Sequence, residues 1–204
     1  MHTFLILACT IVPLLVLTLL IKSLFKLLQP IKTNKQFALN RTIRAIVTKV
    51  CDGDTVRVRH CTLFSRSRTA KHTFLVRLYG VDAPECAHFG MPAQPYSKES
   101  TDLLKKYVMG KSVRVTKLGT DRYKRCIGRV VVDGVDVSVA MVKKGMACVY
   151  VGHNAIYGGL HDLLVRYEKR ARKRALGMWK DGVELPMDYK RRMKGRKTKR
   201  RAEL

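Results

Sequence analysis

The chain opens on an apolar run and only later begins to alternate. Phe4 to Ile21 is eighteen residues without a charge, broken by Thr10, Pro13 and Thr18. Apolar sequence resumes at Leu24-Phe25 and Leu27-Leu28. That length reaches the threshold for a helix that crosses a bilayer, and a run apolar on every face suits lipid better than a one-sided core. The pattern predicts a single membrane-crossing anchor over residues 1–28. A cleaved secretory signal and a buried core helix are the alternatives. Against the signal, no positive n-region precedes Phe4 and no small-residue cleavage site follows. Residues 29–40, with Pro30, Thr33 and Asn34, read as a short linker.

From Arg41 the period of the pattern falls to two. Thr42–Val50 is β-branched and loosely alternating, Asp52-Gly53-Asp54 is a tight-turn signal, and Thr55–Arg59 alternates cleanly. A polar, basic stretch at 65–72 reads as an exposed loop before a third strand over Thr73–Tyr79. Helical spacing appears at Leu103, Leu104, Tyr107 and Val108 and stops at Gly110. Ser112–Leu118 and Ile127–Val132 read as two more strands. Val137–Lys144 reads as a short helix ended by Gly145, Met146–Val151 as extended, and Leu160–Leu176 as a longer helix ended by Gly177. Five strands with interspersed helices predict a mixed β and α domain over 41–180. Its expected form is a Greek-key barrel of the OB type with about three helices packed outside.

Charge changes the picture. Among 204 residues, 41 are Lys or Arg and 15 are Asp or Glu, a formal net charge of +26. Such a balance points to nucleic acid, to an anionic membrane face, or to both. Lys22, Lys26, Lys32, Lys35, Arg41 and Arg44 follow the apolar run, so the excess of positive residues puts the remainder on the cytoplasmic side or its topological equivalent. Residues 190–201 are nine-twelfths basic, and self-repulsion predicts a tail without order over 181–204. Deleting 190–204 is expected to weaken nucleic-acid binding and leave turnover intact. The six cysteines form no C-x-x-C pair, which argues against a structural zinc. They read as reduced, mostly core-filling thiols, with Cys51 and Cys61 as a possible pair across a hairpin.

Against this basic background the acids are conspicuous. None precedes Asp52, and then Asp52, Asp54, Asp82 and Glu85 arrive with Arg77 between them. Carboxylates in turns, flanked by arginines on a basic body, make a candidate site for a hard cation beside a phosphodiester. Each motif alone has an ordinary explanation as a hairpin turn, a helix start or an outward strand residue.

Taken in order, the motifs are specific. Asp52-Gly53-Asp54-Thr55, Arg77-Leu78, Val81-Asp82-Ala83-Pro84-Glu85, Asp121-Arg122-Tyr123-Lys124-Arg125 and Gly177-Met178-Trp179 resemble the staphylococcal nuclease family over about Arg41 to Trp179. The resemblance implies an OB barrel and Ca²⁺-dependent hydrolysis of DNA and RNA. It implies Asp54 and Asp82 as side-chain ligands of the ion and the backbone carbonyl of Ala83 as a third. It implies Glu85 as the general base, or as the residue orienting the attacking water, and Arg77 and Arg125 as the clamp on the phosphate. Lysine cannot reproduce the guanidinium fork, so Arg77→Lys is expected to be poorly tolerated. Tyr123 is a candidate for base stacking and Lys124 for a phosphate contact; many members of the family have glycine where this chain has Lys124. Arg129 is a rival for the second clamp. His88, His153 and His161 read as surface or loop residues. A membrane-tethered, Ca²⁺-dependent nuclease of low sequence specificity is the leading expectation, with no small-molecule cofactor. A non-catalytic, membrane-tethered nucleic-acid-binding module is the rival.

Overall fold

A computed structural model describes residues 2–62, 72–88, 90–182 and 184–202, with the side chains of the first helix described over 12–25 and those of the last over 186–195. The basic loop expected at 65–72 lies outside the described residues, apart from His72. The chain divides into two units, Met1–Pro30 with Cys61–Arg68 and Ile31–His60 with Thr69–Leu204.

The first unit carries helix α1, His2–Leu28, with Pro13 inside it. The expected membrane-crossing helix is not shown: among the described residues, no helix is long and apolar enough to cross a membrane.

In the second unit the β-branched runs become β1 (Thr42–Val50), β2 (Thr55–His60), β3 (Phe74–Leu78), β4 (Val81–Asp82), β5 (Ser112–Thr120), β6 (Cys126–Val132), β7 (Val135–Asp136) and β8 (Cys148–Val149). Neighbours pair antiparallel in the order β3-β2-β1-β5-β6, and a parallel β3–β6 pairing closes the sheet into a five-stranded, OB-like barrel. Alternation decides which side chains go inside: Val47, Val56, Val58, Val76, Val113, Val115 and Val130 are all buried. Where β3 meets β6 the backbones come close enough that a Cβ on Gly128 would lie 2.8 Å from Val76 Cγ1. Helices α2 (Ser97–Val108), α3 (Val137–Lys143) and α4 (His161–Lys173) surround the barrel, with Leu104, Met141 and Leu164 fully buried.

Two expectations about the flanks are corrected. The segment read as a linker is packed: Ile31 and Phe37 are buried, and Phe37 meets Phe74 edge-on. Buried Lys117 reaches the segment with its ammonium, donating to the carbonyls of Asn34 at 3.0 Å and Phe37 at 2.8 Å. The segment read as a tail without order forms helix α5, Pro186–Ala202. Tyr189 and Met193 are buried, and those two contacts order the first turns despite the surrounding positive charge. Cys51, Cys86, Cys126 and Cys148 are free thiols, and Cys126 and Cys148 are buried. Cys51 and Cys61 do not face each other, because the β1–β2 register pairs His60 with Ala45 while Cys51 stands at the turn beside Val50.

Candidate active site

The site is built on the β2–β3–β4 corner. Strand pairing sets Thr55 opposite Arg77, and Leu78 donates its N–H to the carbonyl of Asp54 at 2.8 Å. This places Asp54 next to Arg77. Strand β4 pairs with β8, Asp82 opposite Cys148, which swings the second acidic motif against the first. Gly53 makes the approach possible. A Cβ there would lie 2.1 Å from Ser100 Oγ and 2.7 Å from Ala83 Cβ, so the two motifs touch only because residue 53 has no side chain.

Asp54 is 4% exposed and Asp82 2% exposed, so neither has much water to stabilise its charge. The protein supplies cations instead. Arg77 Nη2 lies 2.9 Å from Asp54 Oδ2 and 2.6 Å from Asp82 Oδ1, so one nitrogen is shared by both carboxylates. Thr55 adds a hydroxyl to Asp54 Oδ1 at 2.7 Å. Burial alone would raise the Asp54 pKa, but Arg77, the Thr55 hydroxyl and Lys190 outweigh it and hold the carboxyl below its ordinary range. Burial would lower the Arg77 pKa, yet the two aspartates push it above the usual arginine value. Asp52, beside them, is pushed up to about 7 by burial and the neighbouring Asp54 charge. The Arg77 guanidinium also lies 5.7 Å from the ring centroid of Tyr150.

Sequence reasoning missed Lys190. Its ammonium stands 2.9 Å and 3.1 Å from the two oxygens of Asp82 and 2.9 Å from Glu85 Oε1. Burial would lower its pKa, but Asp82 and Glu85 together raise it, so it stays charged. No local motif marks this residue, which begins the basic run as one lysine among many. Gln94 was missed as well. It is buried, accepts the Glu85 N–H at 3.1 Å through Oε1, and donates its own N–H to the Glu85 carbonyl at 2.8 Å. That reciprocal pair fixes the backbone from which the Glu85 carboxylate extends.

The structure thus brings Asp54, Arg77, Asp82 and Glu85 together, with buried Ala83 between them. Arg125 is held by Asp121. Its Nε donates to Asp121 Oδ2 at 2.6 Å, and Asp121 Oδ1 accepts the N–H groups of Tyr123 and Arg125. Tyr123 is 64% exposed on this turn, between Arg122 and Arg125, so it is not a core residue. Lys124 has φ +61°, a left-handed conformation that favours glycine. Arg129 serves the fold: its Nε donates to Asp136 Oδ2 at 2.8 Å, an oxygen that also accepts the Tyr79 hydroxyl. His88, His153 and His161 are exposed.

A hard divalent ion fits this donor set in chemistry and direction, because carboxylate oxygens of Asp54 and Asp82 already converge on a single cation, the Arg77 nitrogen. They do not form a ready-made cage. Among the described residues no group of three His, Cys, Asp or Glu side chains is arranged to hold a metal, since Arg77 and Lys190 stand between the acids.

Residues 75–181 match the model of the staphylococcal nuclease homologue family. The chain is 39% identical over 172 residues to a protein of Candida albicans (strain WO-1) named Probable endonuclease LCL3, covering 74% of this chain and 73% of that one. It is 37% identical over 176 residues to a protein of the same name from Pyricularia oryzae, covering 76% and 68%. With one from Komagataella phaffii it shares 36% over 168 residues, covering 71% and 73%. The matched region holds Arg77, Asp82, Glu85 and Arg125 on a closed five-stranded barrel, and on these grounds the chain belongs to the staphylococcal nuclease homologue family.

Proposed function

We propose that this protein is a Ca²⁺-dependent nuclease that hydrolyses phosphodiester bonds of DNA or RNA with little sequence preference. The observation that carries the reading is the convergence of Asp54, Asp82 and Glu85 on shared cations, Arg77 and Lys190. Asp54, Asp82 and the Ala83 carbonyl would hold the ion. When bound, a divalent ion supplies positive charge for polarising the scissile phosphate and acidifying a water. Glu85 takes the proton of the attacking water as the new P–O bond forms and the leaving oxygen departs. Its backbone, fixed by Gln94, limits how far that carboxylate can wander. Arg77 supplies a guanidinium beside the ester, where lysine would offer a point charge without the fork. Among the described residues the Arg125 side chain is hydrogen-bonded only through Nε, which leaves its Nη edge for the other side of the phosphate.

The same proposal tethers the enzyme to a membrane through α1, with the barrel on the cytoplasmic side or its equivalent. Support comes from the uncharged run Phe4–Ile21, the lysines that follow it, and the exposure of Leu14, Leu15, Leu17, Leu19 and Leu20. Both parts are tested on the full chain. In detergent it should digest single-stranded DNA with Ca²⁺ and stop with EGTA, and Glu85→Gln should lower turnover by about 10²- to 10⁴-fold. Cleavage that survives EGTA, or an undiminished variant, would count against the mechanism. In membranes the chain should stay in the pellet after carbonate extraction, and its release would remove the tether.

A further inference from the structure

The residue that most needs a reason is Lys190. The start of α5 is fastened from several sides to the loop that carries the catalytic carboxylate. Tyr189 is buried and donates its hydroxyl to the Pro92 carbonyl at 2.6 Å. Gln94, the residue that fixes Glu85, also donates its side-chain amide to the Glu184 carbonyl. Arg192 turns back to Glu184 at 2.6 Å, and Tyr96 bonds Asp181. These contacts deliver the Lys190 ammonium to Asp82 and Glu85, with three oxygens at 2.9, 2.9 and 3.1 Å.

A divalent ion bound by Asp82 needs the same lone pairs. Calcium takes carboxylate oxygens at about 2.3–2.6 Å, and Asp82 cannot present both oxygens to an ammonium and to calcium together. Two cations at such separation also repel, strongly where burial has removed water. Resting on the nuclease reading, we propose that Lys190 is a tethered counter-cation that holds Asp82 and Glu85 in the metal-free protein. Calcium must displace it, so the first turns of α5 act as a self-inhibitory strap. Lys190 comes from α5, which contributes no strand to the barrel. The strap keeps a nuclease quiet where calcium is scarce and lowers the apparent affinity for the ion by the fraction of molecules in which it is seated. If that state makes up about nine-tenths of the population, the affinity is about tenfold weaker than the open site would have.

The test compares the full chain with Lys190→Met and Lys190→Arg, all in detergent. Calcium binding is read by titration calorimetry, and backbone exposure of 186–193 by hydrogen exchange. Lys190→Met should bind calcium roughly tenfold more tightly, while Lys190→Arg, which keeps a cation at the position, should stay near the parent. In the parent, calcium should speed exchange in 186–193 relative to EGTA. In Lys190→Met, calcium should change it little. Unfolding curves of the two variants check that each is folded. If Lys190→Met binds calcium no better than the parent while calcium-dependent cleavage persists, the strap is overturned and the nuclease reading stands. If no calcium binds to either protein and no cleavage occurs, both fall together.

Discussion

His60 closes β2 with its Nδ1 accepting the backbone N–H of Ile31 at 2.9 Å, a buried contact that requires the ring to be neutral. Burial, and then the positive charge of Arg41, lower its pKa below the ordinary value of 6.5. The unfolded chain therefore binds a proton there more readily than the folded one does. By linkage, this contribution to stability is fully present above the unfolded value and is lost as pH falls through the lower, folded value. Melting temperature should decline as pH falls below about 6.5, and His60→Asn, whose carbonyl can accept the same N–H without titrating, should flatten that decline. Parallel curves for the two proteins would show that the ring does not carry the response. At this scale the site was legible only where residues cluster in short motifs. Asp54, Arg77, Asp82 and Glu85 lie within a few residues of a turn signal or a strand end, and the chemistry of each is carried by its type. Lys190 is separated from Asp82 by more than a hundred positions, and nothing local distinguishes it from Arg191 or Arg192.

Between elements, the contact that assembles the site is the one at Gly53. The β1–β2 turn, the segment after β4 and the first turn of α2 meet there with no room for a methyl group. Ser100 cannot simply rotate away, because its hydroxyl donates to the Met146 carbonyl at 2.6 Å. Gly53→Ala should cost about 1–3 kcal/mol of stability, the usual range for overpacking. It should also separate Asp54 from Asp82, so turnover measured well below the melting temperature should fall too. Gly128→Ala is the control. Its Cβ would press on Val76 and Val115 inside the barrel and cost a similar amount, but without wedging the acidic turns apart. Equal residual turnover in the two variants would mean that Gly53 matters to folding alone. The barrel strands and α2–α4 were legible because each buries its own alternating or helically spaced apolar residues. Helix α5 was not, because its buried apolar anchors, Tyr189 and Met193, stand in a sequence so dense in Arg and Lys that no apolar period can be read. The packed segment around Ile31 and Phe37 escaped notice for the same reason, as it uses two side chains and a lysine from a distant strand.

For the whole molecule, a formal charge of +26 sets how it meets a polyanion, and α5 divides that role in two. Its first turns belong to the site through Lys190 and to the fold through Tyr189 and Met193. Removing 190–204 would therefore take the Lys190 ammonium away from Asp82 and Glu85, so turnover should change, contrary to the expectation drawn from composition. A truncation that isolates the electrostatic part must start after Lys194. Residues 195–204 contain Arg196, Lys197, Lys199, Arg200 and Arg201 against Glu203. Binding of single-stranded nucleic acid weakens with salt by about 0.7 logarithmic units per neutralised phosphate, so loss of five such contacts would flatten the slope by at most about 3.5. The chain lacking 195–204 should bind less tightly at low salt and approach the parent as salt rises, with turnover at saturating short substrate unchanged. Fluorescence anisotropy across a salt series, paired with single-turnover cleavage, reads both quantities. An unchanged slope would mean these cations face something other than the substrate, leaving the anionic surface of a membrane as their counterpart.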